Sequence, residues 1–281
     1  MKHFIIITNR GKDPELEVTG QVEGFLTRHG CSCSVYSEER SSGEWVDLPE
    51  ERKADGILVL GGDGTLLKAA AGASRAGIPV LGINLGTMGY LAEVERANLE
   101  QALEKLVQGT YAVEERMMLS GQVIRQGEVL EDTCALNDIT ITRNGHLQML
   151  YFQIFVNEKL LKEYHADGII LATPTGSTGY NMSAGGPIVE PGARLILLTP
   201  ICPHTLQTRS VILRAEDGIS IRIRERDGRE RQHMEVCFDG SRNLSLCPGD
   251  EVRISRSPRV TPIIKLSEAS FLEVLHRKLS E

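Results

Sequence analysis

The sequence predicts an α/β N-terminal domain with a parallel sheet, followed by an all-β, sandwich-like second domain and a short C-terminal helix. Up to residue 112, short apolar runs alternate with stretches of helical periodicity, the pattern of strands joined by helices. From residue 113 to 266, turn signals separate short runs in which apolar and polar residues alternate. From residue 267 to 281, Phe271, Leu272, Leu275 and Leu279 share one helical face, which is expected to pack on another element.

Each element has its own signal. Phe4 to Thr8 is a short apolar run, as a parallel strand buried on both faces requires. Val18, Val22, Phe25 and Leu26 recur at helical spacing, and Gly30 is placed to end that helix. Cys33 to Tyr36 and Ile57 to Leu60 read as the next two strands, the second running straight into a glycine loop. Thr65 to Arg75, rich in Leu and Ala, reads as a helix closed at Gly77, and Pro79 to Ile83 as a fourth strand. Asn98 with Gln101 reads as a capping box ahead of the stripe Leu99, Leu103 and Leu106. Beyond Val113, turns are expected at Gly127, Asn144-Gly145, Asp227-Gly228 and Asp239-Gly240. Ile219, Ile221 and Ile223 alternate with Ser220, Arg222 and Arg224, as in a strand with one wet face. Leu136, Ile139 and Ile141, then Phe152, Ile154 and Val156, continue that theme.

Composition narrows the function classes. The 281 residues suffice for one large domain or two ordinary ones. A net charge of -7 without a long Lys/Arg run argues against nucleic acid, and 5% aromatics leaves few rings to stack single strands. An acidic chain still holds a small anion where backbone N–H groups converge. The six cysteines contain no Cys-x-x-Cys pair and no zinc spacing, so they read as reduced thiols of a soluble, cytoplasmic protein. The apolar run after Met1-Lys2-His3 is too short for a signal peptide or a span, so no membrane partner is expected.

Chemistry concentrates at Gly61-Gly62-Asp63-Gly64-Thr65, placed between a strand and a helix. Glycines let a ligand approach the backbone, and the helix offers unpaired N–H groups at the positive end of its dipole. The loop lies at the carboxyl end of a strand, where ligands of open α/β sheets bind. It fits neither Gly-x-Gly-x-x-Gly nor the P-loop pattern. Asp63 inside the glycines is unusual, because a carboxylate beside phosphates is repelled unless it holds magnesium or accepts a proton. The loop alone leaves two readings open: a catalytic Asp63, or an Asp63 that caps the helix at Thr65.

A second glycine-rich stretch runs from His165 to Pro191 and follows the strand Ile169 to Ala172. Its short hydroxyl side chains suit ribose and base edges, Tyr180 adds a flat ring, and Asp167 and Glu190 bracket it. These features favour a binding site over a loop of Ser/Thr turns.

With both stretches in hand, the sequence resembles the NAD kinase family. The matching residues are Gly61 to Thr65, Asn84-Leu85-Gly86-Thr87-Met88-Gly89-Tyr90-Leu91, Leu136-Asn137-Asp138, Ala166-Asp167-Gly168, Thr173 to Tyr180, Ser183 to Pro187, and Pro203-His204-Thr205-Leu206 with Arg209. The first loop alone is shared with diacylglycerol-type lipid kinases and phosphofructokinases. The resemblance implies an α/β domain, a β-sandwich-like domain, and a C-terminal segment that returns to the first domain. It implies transfer of the γ-phosphoryl group of ATP to the 2′-hydroxyl of the adenosine ribose of NAD. It also implies magnesium carried with ATP rather than on a protein metal site, and association as a homodimer or homotetramer. Asp63 is the implied catalytic residue. The implied binding residues are Asn137, Asp138, Asp167, Thr178 and Tyr180; Gly62, Gly64, Thr65, Gly89, Tyr90, Thr175, Gly179 and Ser183 in the same stretches are further binding candidates, and His165 reads either as a cofactor contact or as a plain surface histidine.

One departure is visible: the family usually has Asn-Glu where this chain has Asn137-Asp138, and the shorter side chain withdraws its carboxylate by ~1.5 Å. A strand through His165 and Asp167 would point both to one face. Two rival readings share parts of the pattern. A lipid or sugar kinase would use the same loop, but Asn137-Asp138 and Thr173 to Tyr180 suit a dinucleotide. A regulator that binds NAD or NADP without turnover is opposed by the intact Asp63.

Overall fold

The structure is a computed structural model, and it describes residues 3–38, 54–86, 89–144, 150–204, 209–224, 234–267 and 269–280. In order, the elements are β1 (His3–Asn9), α1 (Glu17–Arg28), β2 (Ser32–Glu38), β3 (Gly56–Gly61), α2 (Asp63–Ala76), β4 (Val80–Asn84), β5 (Val94–Glu95) and α3 (Leu99–Gln108). Then follow β6 (Ala112–Arg125), β7 (Glu128–Ala135), β8 (Asp138–Arg143), β9 (Leu150–Val156), β10 (Lys159–Ala166), β11 (Gly168–Ala172) and α4 (Tyr180–Ser183). The chain ends with β12 (Leu195–Ile201), β13 (Val211–Arg214), β14 (Ile219–Ile223), β15 (Met234–Phe238), β16 (Arg242–Leu246), β17 (Glu251–Lys265) and α5 (Phe271–Ser280). Contacts divide it into two compact units, 1–116 with 260–281, and 117–259.

In the first unit the strands pair in parallel, β2 on β1, β1 on β3, β3 on β4, and Ile263 of β17 on Val80 of β4. Parallel pairing puts the carboxyl ends of β1, β3 and β4 together, so the loops after them share one edge of the sheet. Phe4, Ile6, Leu58 and Leu60 pack with Val22, Leu26, Leu103 and Leu106 of α1 and α3 in one apolar cluster. Leu66, Ala69, Ala70 and Ala73 of α2 are also buried, and α2 contacts β1, β3 and β4. Its alanines serve twice, favouring helix and letting the backbone lie close to the sheet.

The helices α1, α2 and α3 end the same way. In α1, the N–H of Cys31 donates to the Leu26 carbonyl and the N–H of Gly30 to that of Thr27. Ile78 and Gly77 repeat the pattern on Ala73 and Ser74, and Thr110 and Gly109 on Lys105 and Leu106. These are Schellman closures, each with glycine at a left-handed φ of 74°, 65° or 76°. The expected capping box at Asn98 does not form: a 3-10 turn, Arg96–Asn98, precedes α3, and Asn98 at φ -105°, ψ 13° makes no side-chain cap bond. An N-cap side chain needs an extended backbone to reach the helix amides.

The second unit is antiparallel. One sheet has the order β13-β12-β11-β8-β15-β16, and a second group runs β10-β9-β14-β17, with the β6–β7 hairpin paired to β17. Ile219, Ile221 and Ile223 are buried while Ser220 and Arg222 between them are not, as the alternation predicts. The turns at Gly127 and at Asp239-Gly240 are present, each glycine at positive φ. Gly145 and the Asp227-Gly228 pair lie outside the described residues. The return to the first unit falls at Val260, inside β17, ahead of the tail helix. That helix buries none of its residues, and Leu272 and Leu279 are 70% and 65% exposed, so the expected packed face is open along much of its length.

Two glycines of the first unit give opposite expectations. Gly77 has open space around a built Cβ but φ +65°, so Gly77→Ala is predicted to cost about 1 kcal/mol from backbone strain alone. Gly20 of α1 has the same open space without positive φ, so Gly20→Ala is predicted to stabilise by about 0.5–1 kcal/mol. Urea unfolding midpoints that move in opposite directions would bear this out.

Candidate functional site

In the first unit the site is built at the ends of β1, β3 and β4. Asp63 opens α2, and Gly62 occupies the cap position, so Asp63 does not cap the helix. Its carboxylate instead accepts the N–H groups of Tyr90 at 2.8 Å, Leu91 at 3.2 Å and Ala92 at 3.2 Å. The Leu91 N–H also reaches the second oxygen at 3.3 Å, so each oxygen takes two amide contacts, while the side chain stays only half-buried. Gly89 is required by this contact, because a Cβ there would overlap the Asp63 carboxylate. Tyr90 contributes through its backbone. The N–H groups of Asp63 and Gly64, in the first turn of α2, have no intrahelical acceptor and remain available to an anion. Thr65 is buried, and its hydroxyl accepts a hydrogen bond from Asn9 Nδ2 at 3.1 Å.

The loop that carries Asp63's three donors is itself anchored. Glu93, the next residue, accepts the N–H groups of Leu266 and Ser267, the Ser267 hydroxyl and the Lys265 ammonium. Burial pushes the Glu93 carboxyl up, but these donors outweigh it and hold it below the usual range. The end of β17 thus fixes the segment that fixes Asp63.

Lys12 is a functional candidate the sequence reading missed. It sits in the turn after β1, where the N–H groups of Lys12 and Asp13 donate to the Asn9 carbonyl. A Cβ built on Gly62 would lie 2.7 Å from its Nζ, and one on Gly86 3.1 Å. The ammonium therefore occupies the space these two glycines leave, over the loop. A single lysine in a turn carries no local pattern, so only the fold reveals it.

In the second unit, Asn137 and Asp138 lie at the start of β8. The N–H of Thr173 donates to the Asn137 carbonyl, and the Thr173 hydroxyl donates to the Leu136 carbonyl at 2.6 Å. Gly176 presses so closely on Asn137 that a Cβ would overlap its backbone, and a Cβ on Gly179 would lie 3.3 Å from Asn137 Nδ2 and 3.8 Å from Asp138 Oδ2. The structure therefore brings Asn137, Asp138, Gly176 and Gly179 together. Asn137 Oδ1 is buried without a partner. Burial, and after it the charge of Asp239, push the Asp138 carboxyl up to about 7. Tyr180, 45% exposed at the start of α4, has its hydroxyl pushed up by burial and then by Cys202, Asp138 and Asp167, so it shares their field.

The other candidates divide. The hydroxyls of Ser177 and Thr178 donate to the carbonyls of Val189 and Thr175. The short polar groups of this stretch thus fold the segment as well as line it. Ser183 closes α4 and is exposed. His165 packs its ring on Tyr151 at 4.5 Å. The expectation that His165 and Asp167 share a strand face fails: β10 ends at Ala166, and Asp167 stands between two strands, so alternation does not carry across. Asp167 is paired with Arg143 at 3.2 Å. Thr87, Met88, Thr205 and Leu206 lie outside the described residues. Among those described, no group of three His, Cys, Asp or Glu side chains comes together as a metal site, and no helix is long and apolar enough to cross a membrane.

Comparison with known proteins gives these halves a common identity. Residues 4–111 match the family model for the ATP-NAD kinase N-terminal domain, and residues 136–266 that for the ATP-NAD kinase C-terminal domain. An NAD kinase of Agathobacter rectalis is 43% identical over 99% of both chains. One of Lachnoclostridium phytofermentans is 40% identical over the full length of both. Among solved structures, an NAD kinase from Archaeoglobus fulgidus in complex with ATP aligns with TM-score 0.77 and 26% identity, over 99% of this chain and 98% of that one. The yeast NADH kinase complexed with NADH shares the fold at TM-score 0.83 and 23% identity, over 99% of this chain and 88% of that one. Matched through both of its parts, the chain belongs to the ATP-NAD kinase family.

Proposed function

We propose that this chain phosphorylates NAD at the 2′-hydroxyl of its adenosine ribose, taking the γ-phosphoryl group of ATP and releasing NADP and ADP. Family membership supports the reaction. The observation that carries the mechanism is the Asp63 carboxylate, oriented by three backbone amides beside the first turn of α2 and only half-buried.

Phosphoryl transfer needs positioning and charge neutralisation more than covalent help. Asp63 faces the 2′-hydroxyl and takes its proton as the new phosphorus–oxygen bond forms and the bond to the β-phosphate oxygen breaks. The free amides of α2 and the Lys12 ammonium hold phosphate oxygens. Asn137, Asp138, Gly179 and Tyr180 receive the dinucleotide, and the unpartnered Asn137 Oδ1 supports this as an acceptor awaiting a donor. Magnesium fits as an ion carried on the triphosphate, where it neutralises phosphate charge; it takes one or two carboxylates at most from a protein, and Asp63 is the carboxylate at the loop. Six cysteines that form no disulfide support a reducing, cytoplasmic setting. The open apolar side chains of α5 support association into a homodimer or homotetramer.

Incubation with NAD, ATP and magnesium, read by an NADP-specific dehydrogenase, should give NADP; its absence would reject the reaction. In that assay Asp63→Asn is expected to lower turnover about 10²-fold or more, and near-normal turnover would remove Asp63 as the base. Lys12→Met alters an exposed turn and should leave the fold intact. It is expected to raise the KM for ATP about 10-fold or more, with that for NAD changed much less. An unchanged ATP KM would remove Lys12 from the phosphate site.

A further inference from the structure

Asp239 stands apart from the glycine loops and from every motif that marks the site, yet its carboxylate is buried and accepts three backbone amides. It occupies the turn between β15 and β16, where Asp239 at φ 49° and Gly240 at φ 68° are the two central residues and the N–H of Ser241 closes back on the Phe238 carbonyl at 3.1 Å. Positive φ at both centres is what a type I′ hairpin turn asks for, and Asn-Gly would meet it as well as Asp-Gly. The turn alone therefore does not explain a carboxylate.

What does explain it lies about a hundred residues earlier in the chain. Asp239 Oδ2 accepts the N–H of Leu136 at 2.7 Å, and Oδ1 accepts those of Asn137 at 2.7 Å and Asp138 at 3.1 Å. The N–H of Asp239 donates in return to the Asp138 carbonyl at 3.0 Å. Three consecutive amides thus converge on one side chain that is only 7% exposed. On the carbonyl side of the same tripeptide, the Thr173 hydroxyl holds Leu136 and the Thr173 amide holds Asn137. Leu136-Asn137-Asp138 is clamped from both sides, while Asn137 Oδ1 is left buried and unpartnered.

We infer that Asp239 is a positioning residue for dinucleotide binding: its carboxylate fixes the backbone of Asn137 and Asp138 so that their side chains are presented to NAD in one orientation. This rests on the reading above that Asn137 and Asp138 receive NAD. Only an acceptor at both oxygens fits the clamp. An amide in its place would turn two N–H donors toward a backbone N–H, and the tripeptide would have to shift. Burial pushes both carboxyls up, Asp239 to about 6 against the pull of its three amide donors, and Asp138, which also feels the charge of Asp239, to about 7, so Asp239 is the first of the pair to ionise as pH rises.

The test compares Asp239→Asn, Asn137→Ala and the double variant, with separate KM values for NAD and ATP. Asp239→Asn keeps the turn chemistry and should raise the NAD KM about 10-fold or more, leaving the ATP KM within about two-fold. In the Asn137→Ala background the same change should add less than it does alone, because part of its effect runs through Asn137. If Asn137→Ala raises the NAD KM while Asp239→Asn does not, or if the two effects simply multiply, the positioning role is overturned and the binding reading survives. If Asn137→Ala leaves the NAD KM unchanged, the binding reading itself fails, and the inference with it. Equal changes in both KM values would mark Asp239 as merely structural. If Asp239→Asn does not fold, Asp239→Glu keeps both acceptor oxygens on a longer arm and carries the same comparison.

Discussion

The Asp63 carboxylate rests on the backbone amides of Tyr90, Leu91 and Ala92, and the rest of the first half-site is arranged around that contact. It explains why residue 89 is glycine, since any side chain would enter the carboxylate. It explains why Glu93 is pinned to Lys265 and Ser267, since the donors hold position only if the segment carrying them does. It also decides what Asp63 does not do: with its oxygens turned to the loop, it leaves the first turn of α2 uncapped and its amides open to anions.

The second unit uses the same device for a different end. There too an Asp-Gly pair sets a carboxylate against three consecutive amides, those of Leu136 to Asp138. The two differ in surroundings. Asp239 is all but sealed from solvent and acts on the chain alone, whereas Asp63 is partly exposed beside the glycine loop. One interaction thus yields a strut in one unit and a reactive group in the other, and burial is the difference.

What the sequence made legible was whatever depends on neighbours along the chain. Apolar spacing located β1, β3, β4, α1 and α2, and the glycines that close α1 and α2 were visible because a left-handed residue leaves its mark at the position itself. The motif residues Asp63, Asn137 and Asp138 could be picked out because they stand in unusual company. Contacts over distance were not legible. The amides that hold Asp63 lie 27 to 29 residues away, and those that hold Asp239 lie 101 to 103 away. Local rules also misled where geometry overrode them. Asn98 has the residue type of a cap but the wrong backbone, and strand alternation was carried from His165 to Asp167 across a break that apolar pattern does not reveal. The tail helix has an apolar stripe that the structure leaves largely open.

The account turns on where Asp63 points when substrate is present, and a crystal structure of the chain with bound NAD measures this directly. The account predicts an Asp63 oxygen about 2.6–3.2 Å from the 2′-hydroxyl of the adenosine ribose, with the amides of residues 90–92 still holding the carboxylate. A bound dinucleotide whose 2′-hydroxyl lies beyond the reach of Asp63, directly or through one water, would contradict it.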